Sequence, residues 1–281
     1  MHGLPQCPCD QTSGLVSATA GYPPFAKSGR RISGSDGLTV LAPATNQYEN
    51  CLRCHGTSTG KTASIAYGYQ PYRMNLSGDP LNVILQLNST TYPPSAHPVM
   101  HTRNSPYSQP SLLNNMLQID GVSLGRPMGT QILCTDCHNS DDNREFGGSG
   151  PNGPHGSAFP HILERRYEFS QAPAPGQLIT NLFLPPDFSP KGQYALCAKC
   201  HNLNNIMSNA SFNQHARHIN DGFSCSVCHT AHGTGGQSGW ERLVSFDLSV
   251  VAPVTSGSTT IPISYNRSTN TCSLVCHGHT H

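Results

Sequence analysis

A pair of cysteines followed at once by a histidine recurs five times along this chain, and no other feature constrains its folding as much. Four copies have the spacing Cys-x-x-Cys-His: Cys51-Leu52-Arg53-Cys54-His55, Cys134-Thr135-Asp136-Cys137-His138, Cys197-Ala198-Lys199-Cys200-His201 and Cys225-Ser226-Val227-Cys228-His229. The fifth is longer by one residue, Cys272-Ser273-Leu274-Val275-Cys276-His277. With 12 Cys and 15 His in 281 residues, the standard motif should arise by chance about 0.03 times. The spacing has a chemical meaning. Two thiols on one short turn add across the two vinyl groups of a haem, and the adjacent imidazole then reaches the iron from the proximal side. The repeat therefore implies five covalently attached c-type haems, with His55, His138, His201, His229 and His277 as proximal ligands.

Ten of the 12 cysteines belong to these motifs, leaving Cys7 and Cys9. A disulfide framework would leave the five following histidines unexplained. Zinc ribbons also use Cys-x-x-Cys pairs, but a four-cysteine zinc site needs no histidine directly after each second cysteine. No histidine follows Cys9, so Cys7 and Cys9 are expected to carry no haem. They are expected to form a disulfide, with each other or with another chain.

Composition fits a fold organised by a cofactor. The apolar fraction is 36% and charged residues only 11%, against typical values of roughly 45–50% and 25%. Gly and Pro number 27 and 23, which leaves little room for long regular elements. Such a chain cannot bury enough of its own apolar surface to offset backbone ordering. Haem plates held by thioethers and iron bonds would supply the missing core, with about 56 residues around each. The expected fold is thus mostly irregular coil with short α-helices and a few short β-strands around stacked haems.

The net charge of +1 gives no electrostatic case for nucleic acid or an anionic membrane. The longest apolar runs, such as Val83-Ile84-Leu85 and Val250-Val251-Ala252, are too short to span a bilayer. Haem attachment of this type takes place outside the cytoplasmic membrane, so the protein is expected to be extracellular or at the cell surface, with the periplasm as the alternative. His2, Pro5 and Cys7 stand where a leader would have a basic and then an apolar region. The chain is accordingly expected to be a mature form.

Residues 1–46 are expected to be an irregular arm, rich from residue 10 in Gly, Ser, Thr and Ala, and residues 47–281 a pentahaem domain. Within the latter, Val83–Leu87 reads as a strand and Ser111–Ile119 as a short helix with Leu112, Met116 and Ile119 on one face. Residues 140–160 read as a Gly/Pro loop, His161–Phe169 as a helical turn or strand, and Asn209–Asn220 as a short helix. Thr255–Ser264 alternates polar and β-branched residues, as a strand or hairpin does. Each motif is expected on one or two helical turns.

A c-type haem carries electrons when both axial positions are filled and can do chemistry when one is open. Beyond the five proximal histidines, ten remain: His2, His97, His101, His155, His161, His215, His218, His232, His279 and His281. The supply allows five bis-histidine haems. Six Met offer another sixth ligand, although a Met is more often packing. His232 follows His229, which already takes the proximal side of its own haem, so His232 would serve an adjacent one. His215 and His218 lie three apart on one helical face, so one would ligate, with His218 favoured, and the other would bond a propionate. His101, His161 and His279 read as surface groups or supports of the ligands. Arg53, Arg126, Arg144, Arg165, Arg166, Lys199 and Arg217 lie near the motifs and would pair with propionates or be solvated.

The segments Ser95-Ala96-His97-Pro98-Val99, Cys134-Thr135-Asp136-Cys137-His138-Asn139-Ser140-Asp141, Gly153-Pro154-His155-Gly156-Ser157, His215-x-x-His218-Ile219, Cys225-Ser226-Val227-Cys228-His229-Thr230-Ala231-His232-Gly233 and Cys272-x-x-x-Cys276-His277-Gly278-x-x-His281 carry a resemblance. They resemble multihaem c-type cytochromes with doubled Cys-x-x-Cys-His motifs, from about Asn50 to the C-terminus. The resemblance implies distal ligands at His97, His155, His215 or His218, His232 and His281. It also implies a function: electron relay along closely spaced haems, with no enzymatic step. Some proteins of this type polymerise into extracellular filaments. An arm too poor in apolar groups to fold alone and a low charge point the same way, to a head-to-tail homopolymer. In it, His2 would complete a neighbour's haem. Other redox proteins or extracellular electron acceptors would be the partners. The alternatives are a non-polymerising electron shuttle and a multihaem reductase. For the reductase, no Cys-x-x-Cys-Lys motif is present.

Overall fold

The first motif lies on α1 (Gln47–His55), in a computed structural model that describes residues 31–32, 40–41, 46–56, 82–87, 95–100, 111–113, 115–119, 122–127, 131–144, 147–167, 192–234, 242–276 and 278–281. The Asn46 amide at the start of α1 donates to Glu49 Oε1 at 2.8 Å. Leu52, 2% exposed, points the other way into a small core with Ile84, Leu87, Val99, Met100 and Ile132. The helix ends where a second begins: Gly56 N–H donates to Leu52 C=O at 2.9 Å, and Ile84 N–H donates to Gly56 C=O at 3.2 Å. A Cβ on Gly56 would stand 2.4 Å from that Leu52 oxygen and 2.6 Å from Ile84 Cδ1, so only glycine permits the junction.

Two elements differ from expectation. Val83–Leu87 is a helix (α2), not a strand. Ile84 and Leu87, three apart, are both buried while Leu85 between them is 40% exposed, which is helical rather than alternating periodicity. Ser111–Ile119 is not a helix: Leu112 forms a bridge with His201, and Asn115–Ile119 (β3) pairs antiparallel with Val122–Pro127 (β4). The residues between those strands are Asp120-Gly121, a pair that favours a two-residue hairpin connection. That turn chemistry overrides the apolar spacing.

The rest is short, as composition requires. Before α1, Arg31–Ile32 (β1) pairs antiparallel with Val40–Leu41 (β2); the remainder of the 1–45 segment, with His2, Cys7 and Cys9, lies outside the described residues. Single 3₁₀ turns occupy Cys134–Asp136 and Pro160–Ile162. Four helices follow: Ala195–Ala198 (α3), Leu203–Met207 (α4), His215–Asn220 (α5) and Cys225–Cys228 (α6). The expected hairpin near Thr255–Ser264 is Val254–Ser256 (β6) against Thr259–Ile261 (β7). Val251–Ala252 (β5) pairs with Val275–Cys276 (β10), which also pairs with His279–Thr280 (β11). Ser264–Asn266 (β8) pairs with Thr271–Ser273 (β9).

The fifth motif therefore departs from the helical expectation. Cys272 lies on β9 and Cys276 on β10, because the stretch from Thr271 to Cys276 is taken into two separate antiparallel pairings. A second small core surrounds it: Phe223, Val227, Val244, Phe246, Val250, Val251, Ile263, Leu274 and Cys276. No described helix is long and apolar enough to cross a membrane.

Candidate functional site

The motifs stand side by side in sequence order. Gln47 on α1 donates through Nε2 to Thr135 Oγ1 at 2.9 Å and accepts from Thr135 N–H at 3.3 Å, which clamps the first motif to the second. The Cys51 and Cys134 thiols hydrogen-bond each other, and that bond lowers the Cys51 pKa to about 7. Burial pushes Cys137 up to about 12, and Cys200 and Cys197 of the third motif lie close enough to add to the effect. Burial likewise raises Cys197, with Cys225 of the fourth motif contributing next. Cys228, Cys272 and Cys276 share the C-terminal core. None of the nine described cysteine side chains is in a disulfide.

Three motifs share a backbone clasp not visible in the sequence. In each, the motif histidine forms an antiparallel bridge with an apolar residue: His138 with Leu163, His201 with Leu112 and His229 with Val244. The residue after that partner donates its N–H to the second cysteine's carbonyl: Glu164 to Cys137 at 2.9 Å, Leu113 to Cys200 at 2.9 Å and Ser245 to Cys228 at 2.8 Å. In two of them the residue two before the partner accepts from the histidine ring. His138 Nδ1 meets the His161 carbonyl at 2.9 Å, and His229 Nδ1 meets the Arg242 carbonyl at 3.0 Å. Both carbonyls come from left-handed pairs, His161-Ile162 (φ 63° and 54°) and Arg242-Leu243 (both 61°). Such φ values cost non-glycine residues roughly 1–2 kcal/mol each. The cost is incurred where it aims a carbonyl at a motif histidine.

A donor at Nδ1 leaves the Nε2 lone pair to bind a metal. The same arrangement holds outside the motifs. His97 Nδ1 lies 2.5 Å from the Ala231 carbonyl, His218 Nδ1 2.8 Å from the Gln214 carbonyl and His232 Nδ1 3.2 Å from Gln86 Oε1. His215 Nδ1 lies 3.4 Å from Ser211 Oγ.

The imidazoles come in facing pairs. His97 and His201 have ring centroids 6.3 Å apart, His138 and His232 6.2 Å, His215 and His229 6.3 Å, and His218 and His281 5.6 Å. Each of the first three joins a motif histidine to one outside the motifs. Two imidazoles bound through Nε2 to one metal at about 2 Å set their centroids about 6.3 Å apart. The centroid separations of those three pairs match that span. Among the described residues no group of three or more His, Cys, Asp or Glu side chains is arranged to hold a metal ion, whereas an iron in a porphyrin takes two protein ligands.

Burial keeps His201, His232 and His215 neutral, as a ligand must be. Burial, then the neighbouring His97 and His229, lowers His201 to about 3. Burial, then His138, His97, His161 and His55, lowers His232 to about 3. Burial, then His229, His218 and Arg242, lowers His215 to about 4. The mutual influences trace a run of imidazoles from His55 through His232, His97, His201 and His229 to His215 and His218. Close backbone approach holds its centre. His97 N–H donates to the His232 carbonyl at 2.9 Å. A Cβ on the adjacent Gly233 would stand 2.2 Å from the Gln86 carbonyl oxygen and 2.5 Å from Ala96 Cβ.

Several expectations change. His215 faces His229, and His218 faces His281. The helical spacing turns both rings the same way, and each meets a different neighbour. His155 is exposed in its loop and faces no ring among the described residues. Lys199 is not turned to solvent: it is 3% exposed and held by Glu164. Arg217 pairs with Asp221 at 3.9 Å on the surface. His161 serves by its backbone carbonyl, in keeping with a supporting role. The Cys54 side chain, His277, His2 and His101 lie outside the described residues. Comparison with known proteins finds no matching family model, no similar curated protein and no similar solved structure.

Proposed function

We propose that this chain is a multihaem electron-transfer protein, carrying five haem c groups on its five motifs and relaying electrons among them without a catalytic site. The observation that carries this reading is the set of three facing imidazole pairs, each joining a motif histidine to an outside histidine at the span two ligands of one iron require. Bound there, the haems would supply one-electron carriers. The chain's own residues hold the ends of that arrangement. His138 and His229 are oriented by the His161 and Arg242 carbonyls. His97 and His232 are fixed to one another through their backbones. His218 and His281, with His277, are the groups available to the fifth motif, and His55 would take its second ligand from His155, His2 or a neighbouring chain.

We also infer a working state: an extracellular head-to-tail polymer, in which the segment ahead of β1 crosses to the next subunit and His2 approaches its haem. The support is compositional, an N-terminal segment with few large apolar groups to build a core of its own. A chain lacking residues 1–45 is expected to remain monomeric in electron micrographs under conditions where the full-length protein forms filaments. Filaments from the truncated chain, or monomers from the full-length protein at high concentration, would leave the shuttle as the working form.

A further inference from the structure

The most completely buried charged group among the described residues is Glu164, at 0% exposure, and its partner Lys199 is 3% exposed. Lys199 Nζ lies 2.9 Å from Glu164 Oε1 and donates to the Asp136 carbonyl at 2.5 Å. Lys199 sits between the two cysteines of the third motif, and Asp136 between those of the second. Glu164 N–H donates to the Cys137 carbonyl. The pair thus occupies the seam where two motifs meet, and the Lys199 charge reaches Cys137 itself. The other charged groups at the seam are Arg165, whose Nε lies 3.7 Å from Glu164 Oε1, and the buried Asp136. Asn139 Nδ2 also faces Glu164 Oε2, at 3.4 Å.

A buried ion pair is a weak device for stability, because desolvation of both ions offsets their attraction and apolar replacements are often neutral or better. It is a strong device for fixing local potential, because charges at low dielectric act over longer distances than in water. We propose that Glu164 and Lys199 are positioning residues that set the reduction potentials of the second and third haem sites, with Lys199 raising and Glu164 lowering them. The proposal rests on the haem reading above. A positive charge stabilises the electron-rich reduced state and a negative charge opposes it. Their opposite effects offset each other while the pair joins the two motifs.

The test is potentiometric titration of the full-length, haem-loaded protein with its Glu164→Gln and Lys199→Met variants, each checked for haem content by intact mass. Glu164→Gln is expected to raise the potentials of two of the five haems and Lys199→Met to lower those of the same two, with the double variant near the parent. A purely structural pair would move both variants in the same direction or neither. Arg165→Gln, at a partly exposed site, is expected to give a smaller downward shift at the same two haems should either buried variant fail to accumulate. Shifts of equal sign, or an unchanged titration of either Lys199→Met or Arg165→Gln with all five haems attached, overturn the proposal. A parent chain without haem overturns the functional reading itself, and the mass separates the two results.

Discussion

Replacing His232 with alanine is expected to open one iron in five, converting a fifth of the low-spin absorption to high-spin and giving the reduced protein one carbon monoxide site per chain. The reason is local. The His232 ring faces His138 at 6.2 Å, its Nδ1 is held by Gln86, and its backbone carbonyl binds His97 N–H. Truncation removes the ring while leaving the backbone bond, so the other pairs should survive. His279→Ala, at an exposed strand end, is the matched control and is expected to leave the spectrum unchanged. An unaltered spectrum in His232→Ala would mean that the second motif draws its partner from elsewhere.

Stability is expected to fall steeply on acidification below about pH 6.5. His201 and His232 are held at about 3 and His215 at about 4 by burial and by neighbouring imidazoles. In the unfolded chain the same side chains take up protons near 6.5. Between these limits the unfolded state binds more protons, so unfolding free energy rises with pH and is lost as pH falls. With all three contributing, the slope near pH 5 approaches about 4 kcal/mol per pH unit. Iron bound at Nε2 would act in the same direction, since a bound nitrogen cannot carry a proton. Denaturant unfolding at a series of pH values measures the slope. A stability that stays flat or rises between about pH 6.5 and 5 would contradict neutral buried imidazoles at these three positions.

The motifs were legible because covalent chemistry dictates local spacing. Which outside histidine faces which motif was not, since that depends on contacts across the chain. His232 meets a motif almost a hundred residues earlier through the approach of residues 95–97 to 231–234, and only Gly233 hints at so close a passage. The partners of His215 and His218 were not legible for a related reason: helical spacing puts both on one face but does not say how many partners that face meets. At the level of elements, short helices and short antiparallel strands were foreseeable from Gly and Pro content. The hairpin of β3 and β4 was missed by weighing apolar spacing over Asp120-Gly121. The clasp on three motifs had almost no sequence signal, because it is made of backbone bonds to residues as ordinary as Leu112, Leu163 and Val244.

The central claim is that this chain carries haem on every motif, including the stretched one. Intact-mass measurement of the purified, exported protein addresses it most directly. Five haem masses above the polypeptide is the expected result, with neither Cys272 nor Cys276 available to alkylation. Four haems, with Cys272 and Cys276 alkylatable, would remove the fifth site. A mass equal to the bare polypeptide would contradict the claim outright.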